Sequence, residues 1–185
     1  HELGHAHVIK RFGGEVRTFG IMLIVGMPIP YVDATASWSF RDRRARALVG
    51  AAGVIVELAL AALAALVWAH TGPGLVNSLA FNVMLIGSVS SLLFNGNPLL
   101  RFDGYYVLSD LIDIPNLYQR ASAQWRYLAD RYLLGTSNVE STAQDRSEWW
   151  WLTGYGALSF SYRMLIFGSM LLLLADNWLP LAIVF

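Results

Sequence analysis

Three long apolar stretches dominate the pattern of hydrophobic and polar positions along the chain. Residues 47–69 contain one charged residue, Glu57, residues 149–175 contain one, Arg163, and residues 75–94 contain none. A membrane-spanning helix needs about 20 apolar residues, and each stretch is at least that long. A soluble helix of this length would show a charged stripe with a 3.6-residue period, which all three lack. The pattern therefore predicts transmembrane helices at 47–69, 75–94 and 149–175.

The remaining segments have different patterns. Residues 13–40 combine β-branched and aromatic residues with Gly and Pro, which predicts a strand-like insert of short strands and turns. Residues 1–9 predict a helix, and residues 104–134 predict helical pieces at a membrane surface. Residues 135–148 are polar and predict a loop. The predicted fold class is an all-α membrane protein, a polytopic helix bundle that carries the insert and forms a single membrane-embedded domain over residues 1–185.

The composition supports a membrane protein. Hydrophobic residues make up 56% of the 185 residues, and only 14% are charged, which excludes a disordered chain. Thirteen basic and 13 acidic residues cancel, so no positive excess favours nucleic acid, and no nucleic-acid partner is expected. Because the chain has no Cys, any metal must be held by His, Asp or Glu. The chain begins at a His and ends within an apolar run, so we expect a fragment truncated at both ends.

Basic residues predict the orientation of the spans. Arg residues cluster at 41–46 and follow the second span from residue 101, whereas the short loop 70–74 has no Lys or Arg. The positive-inside rule then places the insert on the cytoplasmic side and loop 70–74 outside. The Arg cluster at 41–46 is also typical of contact with membrane lipid headgroups.

The sequence HELGH at residues 1–5 is a candidate metal-binding motif. On a helix, His1 and His5 share a face and can hold one zinc ion, and Glu2 beside them can serve as general base. The alternative is a chance HExxH pattern on an ordinary helix. Ionisable residues are costly in a membrane-like chain and usually functional, which favours the metal site.

A catalytic zinc site needs a third protein ligand, and Asp103 is the candidate. Pro98 should end the second span near Asn97, and Gly104 permits a turn directly after Asp103. Topology places Asp103 on the same side of the membrane as His5. The alternative is a loop Asp that caps the following helix.

Together these segments resemble the site-2 protease family of intramembrane zinc metallopeptidases. The resemblance comprises HELGH at residues 1–5 and NPLLRFDGYYVLSD at residues 97–110, and covers about residues 1–110. The second motif is similar to the NPLL-x-x-DGYY form of a bacterial branch. By position, the resemblance implies that His1, His5 and Asp103 bind Zn2+ and that Glu2 is the catalytic base.

The same resemblance implies a function, a location and partners. It implies an endopeptidase in the bacterial inner membrane, with its active site toward the cytoplasm. The expected substrate is a transmembrane or membrane-adjacent peptide, held extended by the strand-like insert as an added strand. Some members of the bacterial branch look like partners of secretion or peptide-export systems, so secretion-system components are a further expected partner.

Two more polar residues are candidates for supporting roles. Many relatives carry Gly-Pro-x-x-Asn in the span after the insert, with the Asn thought to bind the substrate carbonyl or oxyanion. The matching positions here are Gly53, Val54 and Glu57, and an ionised Glu has no proton to donate. Glu57 could instead support a zinc-binding His, orient the substrate or pair with Arg163. Asn97 could cap the broken helix or orient a substrate.

Two other functions remain open at this point. One is a non-proteolytic membrane subunit of a secretion or peptide-export system that keeps the zinc motifs for structure. The other is a different HExxH membrane protease with a Glu as third ligand, for which Glu57 is the only candidate within the spans.

Overall fold

The computed structural model describes residues 1–24, 26–136 and 140–184, without the side chains of residues 24 and 176–184. This part of the chain is mostly helical and contains one β-hairpin. Its elements are α1 (Glu2–Arg11), β1 (Phe19–Ile24), β2 (Met27–Val32), α2 (Arg43–His70), α3 (Leu75–Ser90), α4 (Asp103–Leu111), α5 (Leu117–Tyr132) and α6 (Arg146–Val184). A 3-10 turn covers Thr35–Ser39, and a π-helical turn covers Ser91–Asn95. The chain divides into two compact units, His1–Pro115 and Asn116–Phe185.

Three helices have the length and composition needed to cross a membrane. They comprise Arg43–His70, Leu75–Asn95 and Arg146–Ala175, and each contains one of the predicted stretches. The first begins before residue 47 because the Asp42 side chain caps it, accepting a hydrogen bond from the Arg44 backbone N–H at 2.9 Å. Large apolar side chains on these helices are exposed, as in Leu172 at 72%. Such a surface is unfavourable in water and suits contact with lipid.

The predicted strand-like insert contains an antiparallel hairpin. Its strands pair from Phe19 opposite Val32 to Ile24 opposite Met27. The turn between them includes Gly26 with a φ of 81°, a left-handed conformation that favours glycine. The prediction of short strands and turns in residues 13–40 is therefore confirmed.

The two outer edges of the hairpin differ in their hydrogen-bonding groups. Pro28 and Pro30 have no N–H to donate, and they occupy positions of β2 whose backbone groups do not bond to β1. Their carbonyls therefore face outward. Val32 continues that outward row, and its N–H donates to Glu2. The outer edge of β2 therefore has acceptors but no free donor among residues 28, 30 and 32. By the same alternation, β1 directs the N–H and C=O groups of residues 19, 21 and 23 outward.

Helix α2 is the centre of the first unit, where it packs against α1, α3 and α4. Gly4 brings α1 into backbone contact with α2, because a Cβ there would lie 2.7 Å from the Ala52 carbonyl oxygen. Ile9, Val49 and Ala52 are buried around this crossing. Gly104 gives α4 a similarly close approach to the backbone of Gly96.

The second unit consists mainly of α5 and α6, which pack against each other, and Leu117 and Leu152 are fully buried in it. Arg163 donates to the Tyr118 hydroxyl at 2.7 Å, and its guanidinium carbon lies 4.8 Å from the centre of that ring. Arg163 therefore finds its partner within its own unit. The predicted surface segment 104–134 corresponds to most of α4 together with α5. Within the predicted loop 135–148, residues 137–139 lie outside the described residues, and α6 begins at Arg146.

Candidate metal centre

The start of α1 brings the two histidines of HELGH together. His1 precedes the first helical residue and His5 follows one turn later, so both rings lie on the face of α1 that meets α2. Their Nε2 atoms lie 3.1 Å apart. Below them, Gly53 of α2 leaves the necessary space, because a Cβ there would lie 2.6 Å from both Nε2 atoms. The sequence singled out Gly53 only as a motif position, and the structure gives it a steric role.

Asp103 reaches the same point from the start of α4. Its Oδ2 atom lies 3.0 Å from His1 Nε2 and 3.4 Å from His5 Nε2. The π-helical turn ends at Asn95, and Pro98 follows, so the chain leaves its helix before α4 begins. The N-cap of α4 is Phe102, without a side-chain cap, so the alternative of a capping Asp103 is not favoured.

The three converging atoms lie close to the spacing of a zinc ligand set. Zn–N and Zn–O bonds of about 2.0–2.2 Å in a tetrahedral arrangement separate neighbouring ligand atoms by about 3.3–3.5 Å. The observed separations are 3.0, 3.1 and 3.4 Å, so one lies in this range and two are slightly shorter. Asp103 Oδ2 is buried and has no hydrogen bond of good geometry, so a cation would satisfy it. Two imidazoles and one carboxylate are a donor set that Zn2+ accepts, and these residues therefore fit the metal.

Each histidine also has an acceptor beside its other ring nitrogen. His5 Nδ1–H donates to the Val49 carbonyl oxygen at 2.7 Å, and His1 Nδ1 lies 3.0 Å from Glu57 Oε1. Metal-binding histidines usually have a carbonyl or carboxylate in this position, which fixes the ring orientation. Because Glu57 reaches Nδ1 of His1, the geometry favours Asp103 over Glu57 as the third ligand.

The charges at this point shift the pKa values of all three groups. The Asp103 carboxylate raises the pKa of His1 above 6.5, against the opposing effect of burial. Burial lowers the pKa of His5, but Asp103 and the Val49 carbonyl outweigh it, and the net shift is upward. Burial raises the pKa of Asp103, yet the two imidazoles outweigh it and bring the pKa to about 2. Asp103 is therefore an anion over the whole physiological range.

Glu2 lies beside this cluster and faces the hairpin. Its Oε2 accepts a hydrogen bond of 3.2 Å from the Val32 N–H, at the end of β2. Solvent reaches the cluster, since the side chains of His1 and Asp103 are 23% and 22% exposed, whereas His5 is 9% exposed. A partly open site of this kind leaves room for a substrate, as catalytic metal sites require.

The side chain of Asn97 contacts its own segment of the chain. Its side chain accepts from the Leu99 N–H at 2.9 Å and donates to the Leu93 carbonyl at 3.3 Å. Both contacts are to the local backbone, so the structure favours the capping interpretation of Asn97.

Sequence reasoning missed Ser91 and Asn95, which contact Glu57. The Ser91 hydroxyl donates to Glu57 Oε2, and Asn95 Nδ2 donates to the same oxygen at 3.1 Å. The available signal was their four-residue spacing, which places two polar side chains on one helix face.

Comparisons with protein-family models, with curated proteins and with solved structures each found no match. The resemblance to site-2 proteases therefore stays an expectation from the two sequence motifs, at residues 1–5 and 97–110.

Proposed function

We propose that this protein is a zinc-dependent intramembrane endopeptidase that hydrolyses a peptide bond of a membrane-embedded or membrane-adjacent substrate. One observation carries the proposal. His1 Nε2, His5 Nε2 and Asp103 Oδ2 converge within 3.4 Å of one another, and Glu2 follows His1 directly in the chain. A purely structural metal site would not need the acidic residue at that position.

The ligand residues are arranged to bind a cation. The Val49 carbonyl accepts from His5, the Glu57 carboxylate lies beside His1, and the Asp103 carboxylate supplies negative charge. When bound, Zn2+ would polarise a peptide carbonyl and make a water molecule easier to deprotonate near neutral pH.

Glu2 is the proposed general base. It accepts the proton of the attacking water and then transfers it to the nitrogen of the leaving amine, so the carboxylate is regenerated. The hydrogen bond from Val32 to Oε2 holds the carboxylate at the end of β2. A base fixed in this way loses little orientational freedom when the substrate binds.

The apolar helices support a location within the membrane. Arg43–His70, Leu75–Asn95 and Arg146–Ala175 are apolar and largely exposed. Arg41, Arg43 and Arg44 lie at the start of the first of these helices and are all exposed, as expected at a cytoplasmic membrane surface. We infer an integral membrane protein whose site opens toward the cytoplasm.

The hairpin edges indicate how a substrate would be held extended. A helix hides its peptide groups, so a transmembrane substrate must unwind before its carbonyl can be attacked, and strand addition would keep it open. The outer edge of β2 lacks the donors that a paired strand needs. The outer edge of β1 has both groups at residues 19, 21 and 23, with apolar, exposed Phe19, Ile21 and Leu23 side chains. We infer that the substrate pairs with β1. Because Glu2 lies at the opposite edge of the hairpin, beside Val32 of β2, the scissile bond lies beyond the residues that pair with β1.

Cleavage of a transmembrane peptide by the purified full-length protein in detergent tests the proposal. We expect wild type to cleave, and Glu2→Gln and Asp103→Asn to lose at least about 100-fold in rate. Glu15→Gln is the matched control, because the Glu15 side chain is 79% exposed on the insert, and it should cleave like wild type. Zinc binding without cleavage in wild type, or full activity of Glu2→Gln, would refute the protease and favour a non-proteolytic subunit.

A further inference from the structure

The carboxylate of Glu57 occupies an unusual place in the apolar helix α2. Its Oε1 atom lies 3.0 Å from His1 Nδ1, on the opposite side of the ring from Asp103. The His1 ring therefore lies between two carboxylates. An ionisable residue within an apolar helix is costly and is usually retained for a function.

Glu57 is itself held by donors from the helix that follows. Ser91 donates to Oε2, and Asn95 Nδ2 donates to Oε2 at 3.1 Å and to Oε1 at 3.3 Å. Ser91 is fully buried, so its hydroxyl has no competing water. These contacts fix the carboxylate in one orientation, with Oε1 toward His1.

Ser91 and Asn95 are the first and last residues of the π-helical turn. The turn is closed by a hydrogen bond of 2.6 Å from the Gly96 N–H to the Ser91 carbonyl. Turns of this kind are rare and occur mostly at functional sites, where the local helix geometry re-aims side chains. Here the turn supplies both donors to Glu57 directly before the chain leaves the helix toward Asp103.

We propose that Glu57 is a positioning residue for the metal site, and that Ser91 and Asn95 act through it to orient His1. This inference rests on the proposed function, because it assigns the metal to His1 Nε2. The two histidines then differ. His5 is oriented by the backbone carbonyl of Val49, whereas His1 depends on a side chain that can be changed.

The charge of Glu57 supports this role. Two neutral imidazoles and one carboxylate leave a divalent cation with one uncompensated positive charge. The Glu57 carboxylate provides the second negative charge within contact of His1. A carboxylate in this position makes the ring a more basic ligand, and its loss elsewhere typically lowers metal affinity by about 10- to 100-fold.

The dissociation constant of Zn2+, measured on the full-length protein by competition with a chromophoric chelator, tests the proposal. Glu57→Gln keeps the shape and removes the charge, and it should weaken zinc binding by about 10- to 100-fold. Ser91→Ala and Asn95→Ala should each weaken it by a smaller factor, up to about tenfold. In the Glu57→Gln background, Asn95→Ala should have no further effect, because both act through one contact.

Asn77→Ala is the matched control for Asn95→Ala. Asn77 also belongs to the helix after loop 70–74, but its side chain donates to the carbonyls of Trp68 and Thr71, at the other end of α2. Its loss should lower thermal stability and leave zinc affinity unchanged. A merely structural role for Asn95 would give the same result in both variants.

The absorption spectrum of Co2+ bound in place of Zn2+ gives a second readout. Glu57→Gln should shift the ligand-field bands, because the His1 ring changes orientation and basicity. If Glu57→Gln leaves the spectrum unchanged and the zinc dissociation constant within twofold of wild type, the proposal is overturned. If Glu57→Gln does not fold, Ser91→Ala and Asn95→Ala decide by the same measurements.

These outcomes separate this inference from the proposed function. A wild type whose zinc affinity depends on Glu57 but which cleaves no peptide would overturn the protease and leave the positioning role. A wild type that cleaves peptides with zinc affinity independent of Glu57 would do the reverse.

Discussion

Replacing Gly53 with Ala should disrupt the metal site while leaving the fold largely intact. A Cβ at this position would lie 2.5 Å from His1 Cε1 and 2.6 Å from the Nε2 atoms of His1 and His5. Favourable contacts between such atoms begin near 3.5 Å, so the methyl group overlaps both rings by about 0.9 Å. His5 cannot yield easily, because its Nδ1–H is bonded to the Val49 carbonyl oxygen.

The expected size of the effect follows from this overlap. Zinc–ligand distances tolerate changes of only about 0.2 Å, so a displacement several times larger removes the ligand geometry. We expect zinc affinity to fall at least about 100-fold, equivalent to about 2.7 kcal/mol. Thermal stability should change much less. Ala is about 1 kcal/mol better than Gly inside a helix, which offsets part of an overpacking cost of about 1–3 kcal/mol.

Zinc dissociation constants and unfolding temperatures of two control variants complete the test. Gly154→Ala adds the same methyl group in α6, where nothing lies within 4 Å of the new Cβ. Gly50→Ala adds it one turn before Gly53, where the nearest atom is a Val107 methyl carbon at 3.1 Å. Both controls should bind zinc as wild type does. Wild-type zinc affinity in Gly53→Ala would refute the placement of the two rings over α2.

Four further predictions concern the site and the hairpin. Ile21→Pro removes an outward N–H from β1 without breaking the hydrogen bonds between β1 and β2, so cleavage should fall at least about tenfold with zinc content unchanged. Ile21→Thr is its control, and equal cleavage by both variants would exclude pairing along β1. Because the pKa values of His1 and His5 lie above 6.5, protons should compete with zinc from above that pH, and a zinc dissociation constant that does not rise between about pH 8 and pH 6 would contradict this. In the metal-free protein, the raised pKa values of His1 and His5 should stabilise the fold fully below pH 6.5, and this stabilisation should be lost as the pH rises through them. The measurement is the unfolding temperature against pH, and an unfolding temperature that shows no such loss would contradict the raised pKa values. A zinc chelator should abolish cleavage and added Zn2+ should restore it, whereas chelator-resistant cleavage would exclude the metal.

The sequence predicts the local structure of this protein well, because apolar length and residue spacing determine it directly. The three long helices contain the predicted stretches, and the Gly- and Pro-rich insert forms a hairpin. The four-residue spacing of His1 and His5 predicts their shared face for the same reason. The structure also places Asp103 beside them.

The contacts of Glu57 could not be predicted in the same way. Its depth in the span suggested Arg163 as one partner, but the structure gives it His1, Ser91 and Asn95. That choice depends on the π-helical turn, which changes the helix register by a fraction of a turn and leaves little trace in the pattern of apolar residues. The close approach at Gly53 likewise depends on how α1 crosses α2, which spacing within a single helix does not determine.

The zinc content of the purified full-length protein and two variants tests the central claim most directly. We expect wild type and Glu2→Gln to bind one zinc ion per chain, and Asp103→Ala to bind none at the same free zinc concentration. This result would assign Asp103 to the metal and Glu2 to the chemistry. A wild type without zinc, or an Asp103→Ala variant that retains it with unchanged affinity, would contradict the account.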